Sequence, residues 1–160
     1  MTQEGRMMKR GLLSTRRLGL VASVGLLVGA TGSYPAAAGG VSIAHQWLRY
    51  VAPGVPAAGY FELHNNSDKA VLLDGAKSSS CGGLALHDSL VQAGTVRMKM
   101  VQSILVPSHA TVTFQPGAYH LMCMSPTQAV RPGQTVEVTL QFQDHDSLSS
   151  GFPVHGAKGQ

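Results

Sequence analysis

A chain of 160 residues with a formal charge of +4 has room for one domain and at first suggests a polyanionic partner. The charge is unevenly placed, however: Arg6, Lys9, Arg10, Arg16 and Arg17 all precede residue 18, and beyond residue 38 seven basic side chains face seven acidic ones. The working part therefore lacks the basic field that nucleic-acid binding needs, and nucleic acid is excluded as an expected partner.

In chain order, the basic start is followed by an apolar run from Leu18 to Ala30 and then by Ala36-Ala37-Ala38, small residues of the kind a signal peptidase reads. Residues 1–38 are read as a secretory signal cleaved near Ala38, with the mature protein expected in a periplasm. The run is broken by Gly19, Ser23, Gly25 and Gly29 and falls short of the roughly 20 residues a bilayer span requires, so a permanent anchor is not expected. Thr15-Arg16-Arg17-Leu18 approaches a twin-arginine signal, but Gly19 stands where a bulky apolar residue belongs, which leaves the export route open.

About 120 residues remain, enough for one hydrophobic core. Short alternating or apolar runs separated by Gly, Pro, Asn and Asp recur along them, and none has sustained helical periodicity; the rhythm predicts an all-β sandwich or barrel. Expected strands are Val41 to Tyr50, Ala58 to Asn65, Ala70 to Lys77, Leu84 to Leu90, Thr95 to Met100, Thr111 to Gln115, Tyr119 to Met124 and Thr135 to Gln143. Asn65-Asn66-Ser67-Asp68, Ala93-Gly94, Pro116-Gly117 and Pro132-Gly133 supply turn chemistry between them. The domain is placed at 39–144. Residues 145–160, rich in Gly and Ser, are read as a flexible tail with at most one short strand around Phe152 to Val154.

Sulfur is concentrated. Met1, Met7 and Met8 belong to the leader, so every remaining methionine lies between Met98 and Met124. Strand alternation puts His120, Met122 and Met124 on one face and Tyr119, Leu121 and Cys123 on the other, and in the same way groups Val96, Met98 and Met100. A hairpin turning at Gln92-Ala93 brings His87 across from Met98. Cys81 and Cys123 are the only thiols. Export permits a bridge between them, but two cysteines do not make a disulfide scaffold, and their spacing says nothing of the distance a bridge requires.

Thioether sulfur is a poor ligand for hard cations and for zinc but a good one for Cu(I), while imidazole serves both copper oxidation states. Two methionines and two histidines would hold Cu(I) without releasing a thiol proton. The spacing His87, ten residues, Met98, twenty-one residues, His120, one residue, Met122 matches H-x10-M-x21-H-x-M, and Ala-Gly-Tyr-Phe-Glu-Leu-His-Asn-Asn-Ser-Asp, Leu-His-Asp, Arg-Met-Lys-Met and Pro-Gly-Ala-Tyr-His-Leu-Met accompany it. From about Val41 to about Phe142 the chain thus resembles the periplasmic copper chaperone family PCuAC (DUF461).

That resemblance implies a cupredoxin-like Greek-key sandwich or barrel binding one Cu(I) through His87, Met98, His120 and Met122 at an exposed site. It also implies delivery to the CuA centre of cytochrome c oxidase, alone or alongside a Sco-type protein; a monomer without enzymatic activity is the default expectation. Met100 and Met124 lie outside the signature and are read as packing near the site or as alternative ligands. Cys123 stands where the family usually has an aliphatic residue, and its face, opposite to that of Met122, argues for a small buried hydrophobe. Some members carry a His- and Met-rich tail binding a second copper. Here only His145 and His155 are available, which leaves a Cu(II) site in the tail as an open expectation.

Other readings fit less well. A blue-copper protein needs a Cys ligand closely followed by His and Met, yet no histidine follows Cys123 before His145. No nucleophile motif or close carboxylate pair supports a hydrolase. Sequestration of copper for tolerance requires the same ligands as delivery and is not separated from it by sequence. His45, His64 and His109 are read as surface residues. Alternation turns Asp88 away from the face of His87. Cleavage after Ala38 would leave Gly39-Gly40-Val41 at the new end, with no histidine in third place.

Overall fold

The computed structural model describes residues 37, 38, 40–92 and 94–159, so the leader read over 1–38 and its cleavage point lie almost wholly outside the described residues. Eleven strands follow in chain order: β1 Ala37–Ala38, β2 Val41–Arg49, β3 Ala57–Asn65, β4 Val71–Lys77, β5 Cys81–Gln92, β6 Thr95–Met100, β7 Ile104–Val106, β8 Thr111–Phe114, β9 His120–Pro126, β10 Thr135–Phe142 and β11 Leu148–His155. The described residues contain no helix, and hence none long and apolar enough to cross a membrane. The all-β, cupredoxin-like expectation holds.

The hydrogen-bonded path runs β6-β5-β9-β3-β2-β11-β10-β4-β7, with β1 added to β2 and β8 to β3. The sheet bends back so that β4 packs against β5, and the enclosed space is filled from the inward-facing positions. Phe61 stacks on Phe114 at 4.1 Å between ring centroids and meets the edge of Phe152 at 5.8 Å, with Leu48, Leu63, Leu121 and Leu140 fully buried around them. Burial of aromatic and branched side chains on one face of each strand is the main stabilising contribution.

One irregularity aims side chains toward the opposite face. Between Ala44 and Trp47 the β2–β3 register shifts, and His45 takes a φ of 55°. The extra residue of such a bulge reverses the inward parity. Val41 and Ile43 point into the core before it and Leu48 after it, which turns Trp47 and Arg49 outward beside Tyr60 and Ala58.

Three expectations are corrected. The β5–β6 hairpin pairs Gln92 with Thr95 and therefore His87 with Met100 and Ser89 with Met98, not His87 with Met98. Gly94 has a φ of +76°, a conformation that costs glycine little, and so Gly94 belongs inside the two-residue loop. The tail is not flexible throughout: Leu148–His155 is a full strand, antiparallel to β10 and parallel to the end of β2. Its Phe152 and Val154 are buried, which outweighs the weak strand propensity of its Gly, Ser and Pro residues. Finally, β7 extends the sheet beyond β4 where no strand was expected, since three residues are too few to display an alternation.

Candidate metal centre

The site lies on the outer face of β6, β5, β9 and β3. His87 and His120 are register partners across the β5–β9 ladder, and Met122, one step along the same face, is flanked by Ala85 on β5 and Ala58 on β3. These small neighbours leave the thioether room. Met98 sits diagonally from His87, across from Ser89. Met98, His120 and Met122 line one cleft of about 480 Å³ together with Arg49, Val55 and Tyr60. His87 is not among its lining residues, but its ring centroid is 5.7 Å from that of His120.

His120 is only 3% exposed, and its Nδ1 stands 3.0 Å from the Ala118 carbonyl oxygen. A carbonyl only accepts, so Nδ1 carries the proton and Nε2 keeps its lone pair. That Nε2 is buried with no hydrogen-bond partner, and so is Nδ1 of His87. Burial pushes the pKa of His87 down, and the neighbouring His120 adds to the effect, which favours the neutral imidazole a metal requires. Two buried, unpartnered ring nitrogens on adjacent strands are costly unless something accepts their lone pairs. With thioethers flanking them, the donor set suits a soft, weakly hydrated cation.

Other residues serve the cleft without donor chemistry. The Arg49 guanidinium lies 5.5 Å from the Tyr60 ring centroid, and Trp47 packs on Tyr60 at 4.9 Å. Burial raises the Tyr60 pKa, an effect Arg49 partly offsets. The Ala118 carbonyl that orients His120 has no sequence signal, because a backbone acceptor leaves no residue-type trace. Asp88 faces away from the site, opposite Lys99.

The two cysteines and most of the remaining imidazoles are placed elsewhere. Cys81 and Cys123 form a disulfide, with Cα atoms 5.4 Å apart, so Cys123 has no thiolate to offer a blue-copper centre. His64 contacts Thr111 Oγ1 at 2.8 Å and lies 3.4 Å from Glu62, His109 contacts Asp68 at 2.8 Å, and His45 is exposed at the bulge. His155 stacks on Trp47 at 5.4 Å, and its Nδ1 donates to the Gly159 carbonyl oxygen. Among the described residues no three His, Cys, Asp or Glu side chains gather to hold a metal, in the tail or elsewhere. Any metal centre here depends on methionine.

The family model described as LpqE-like matches residues 41–154, most of the chain. The chain belongs to the LpqE-like family. The PCuAC resemblance read from the sequence holds as well: the copper-bound PCuAC domain from PmoF2 superposes with a TM-score of 0.65 at 25% identity, over 77% of this chain and 98% of that one. The solution structure of CuI-DR1885 from Deinococcus radiodurans matches with a TM-score of 0.57 at 29% identity, over 69% of this chain and 74% of that one. Among relatives of the LpqE-like family member, the Leifsonia xyli subsp. xyli protein Lxx21020, named as a lipoprotein, is 26% identical over 99% of this chain and 96% of its own length.

Proposed function

We propose that the protein is an exported Cu(I) carrier that holds one cuprous ion between His87, Met98, His120 and Met122. It passes the ion by ligand exchange to the CuA centre of cytochrome c oxidase, directly or through a Sco-type protein. The observation that carries this reading is the pair of unpartnered ring nitrogens on His87 and His120, in register on adjacent strands beside thioethers of the same face. The similarity to copper-bound PCuAC and CuI-DR1885 structures adds weight.

Export is supported by the leader-like N-terminus and by a disulfide of the kind that persists in an oxidising compartment. Delivery rather than sequestration is favoured by the 58% exposure of Met98. A thioether held at the surface and bound without charge is replaced by an acceptor's thiolate or imidazole while the histidines keep the ion, whereas a store would bury its ligands. The protein acts on its own as a monomeric carrier with no catalytic step.

The test loads the protein with Cu(I), adds an apo CuA domain and follows the metal. Passage within minutes is expected. Tight retention by the loaded protein, with no metal reaching the acceptor, would turn the reading to storage.

A further inference from the structure

The hairpin register sets a second methionine nearer to His87 than the one in the spacing signature. Met100 is the direct cross-strand partner of His87, and Met98 is its diagonal neighbour. Directly opposed residues have Cβ atoms roughly 4.5–5.5 Å apart and diagonal ones roughly 7–8 Å, both within reach of a three-bond thioether arm. Both side chains are largely exposed, Met98 at 58% and Met100 at 65%, so neither is held by packing.

They approach His87 from different sides. Met98 belongs to the cleft with His120 and Met122, whereas Met100 lines a shallower depression with Ala85, Val101 and Asp74. On β6 the two thioethers take the imidazole side while Arg97 and Lys99 take the other.

We infer that Met100 is a second thioether ligand for the same ion, exchanging with Met98 beside His87. The inference rests on the copper reading above. Its content is an exchange of one neutral sulfur donor for another, with no change in copper oxidation state and no proton released. The ion thereby has a holding position, with Met98 in the cleft, and an outer position, with Met100 in the neighbouring depression. The outer position is where an acceptor would first meet it.

Cu(I) affinity measured by competition with a chromophoric chelator, together with the methionine methyl NMR signals on Cu(I) addition, tests this. Met98→Leu is expected to lose about tenfold in affinity and Met98→Leu/Met100→Leu at least about tenfold more, with the Met100 methyl shifting on metal addition in wild type. If the double variant binds as Met98→Leu does and the Met100 methyl stays in place, Met100 is no ligand, and the copper reading stands on Met98 alone. If Met98→Leu, Met122→Leu and the double variant all bind like wild type, the copper site itself is misassigned. Met to Leu changes nearly conserve volume, and circular dichroism of each variant verifies that the fold is kept.

Discussion

His87 and His120 face each other across the β5–β9 ladder, with ring centroids 5.7 Å apart and a buried, unpartnered nitrogen on each ring. Burial, reinforced by His120, holds the pKa of His87 below its usual 6.5. Between that lowered value and 6.5 the unfolded chain binds more protons than the folded one, so stability rises with pH through this window. As pH falls from 6.5 through the lowered value, this contribution is lost. NMR titration of the metal-free protein is expected to give a His87 midpoint below the usual 6.5. A midpoint at or above it would contradict the burial account.

Ligand chemistry and stability separate at the methionines. Met98→Leu and Met122→Leu are near volume-conserving, so each is expected to change unfolding free energy by less than about 1.5 kcal/mol. Each is also expected to weaken Cu(I) binding by about tenfold or more, equivalent to about 1.4 kcal/mol. Denaturant melts alongside chelator competition measure the two effects. Unchanged affinity in both variants would refute the ligand assignment.

Leu121 gives the opposite dissociation. It lies between His120 and Met122 but points into the core and is fully buried. Leu121→Ala is expected to cost about 2–5 kcal/mol of stability. Under conditions where the variant remains folded, Cu(I) binding is expected within a few-fold of wild type. A ligand-like loss of affinity with unchanged stability would mean that β9 is turned over.

The disulfide joins residues 42 apart in sequence and fastens β9 to the start of β5, the two strands that carry the imidazoles. Closing a loop of that length in the unfolded chain is worth about 4 kcal/mol in the chain-entropy account. Thermal melts with and without a reductant are expected to differ by several degrees, with the reduced form the less stable. Equal melting temperatures, with reduction confirmed by thiol titration, would show the bridge to be energetically idle.

The parts of this molecule legible in its sequence are those set by local pattern. β2, β3, β9 and β10 alternate or run apolar between good turn residues, and their edges fall within a residue or two of the expected ones. The four candidate ligands rest on another kind of signal: a spacing signature names residues even where the hairpin register behind it differs from the expected one.

What was not legible depends on contacts distant in the chain. One residue's displacement of a turn moves the opposing register by two, and so His87 meets Met100. The Cys81–Cys123 pairing required a Cα separation that no spacing contains. β11 holds its place through neighbours on both sides rather than through its own Gly- and Ser-rich sequence. The Ala118 carbonyl that sets the His120 tautomer is a feature of backbone position alone.

The interior placement of β11 has a consequence for how the protein is made. Its hydrogen bonds to β2 on one side and β10 on the other occupy the middle of the sheet's order. A nascent chain threading out from its N-terminus therefore carries a gap beside β2 until β11 emerges, and Trp47 waits for His155 to cover it. The wall of the cleft at Arg49 is therefore completed only when β11 pairs with the end of β2, where His155 lies in register with Arg49.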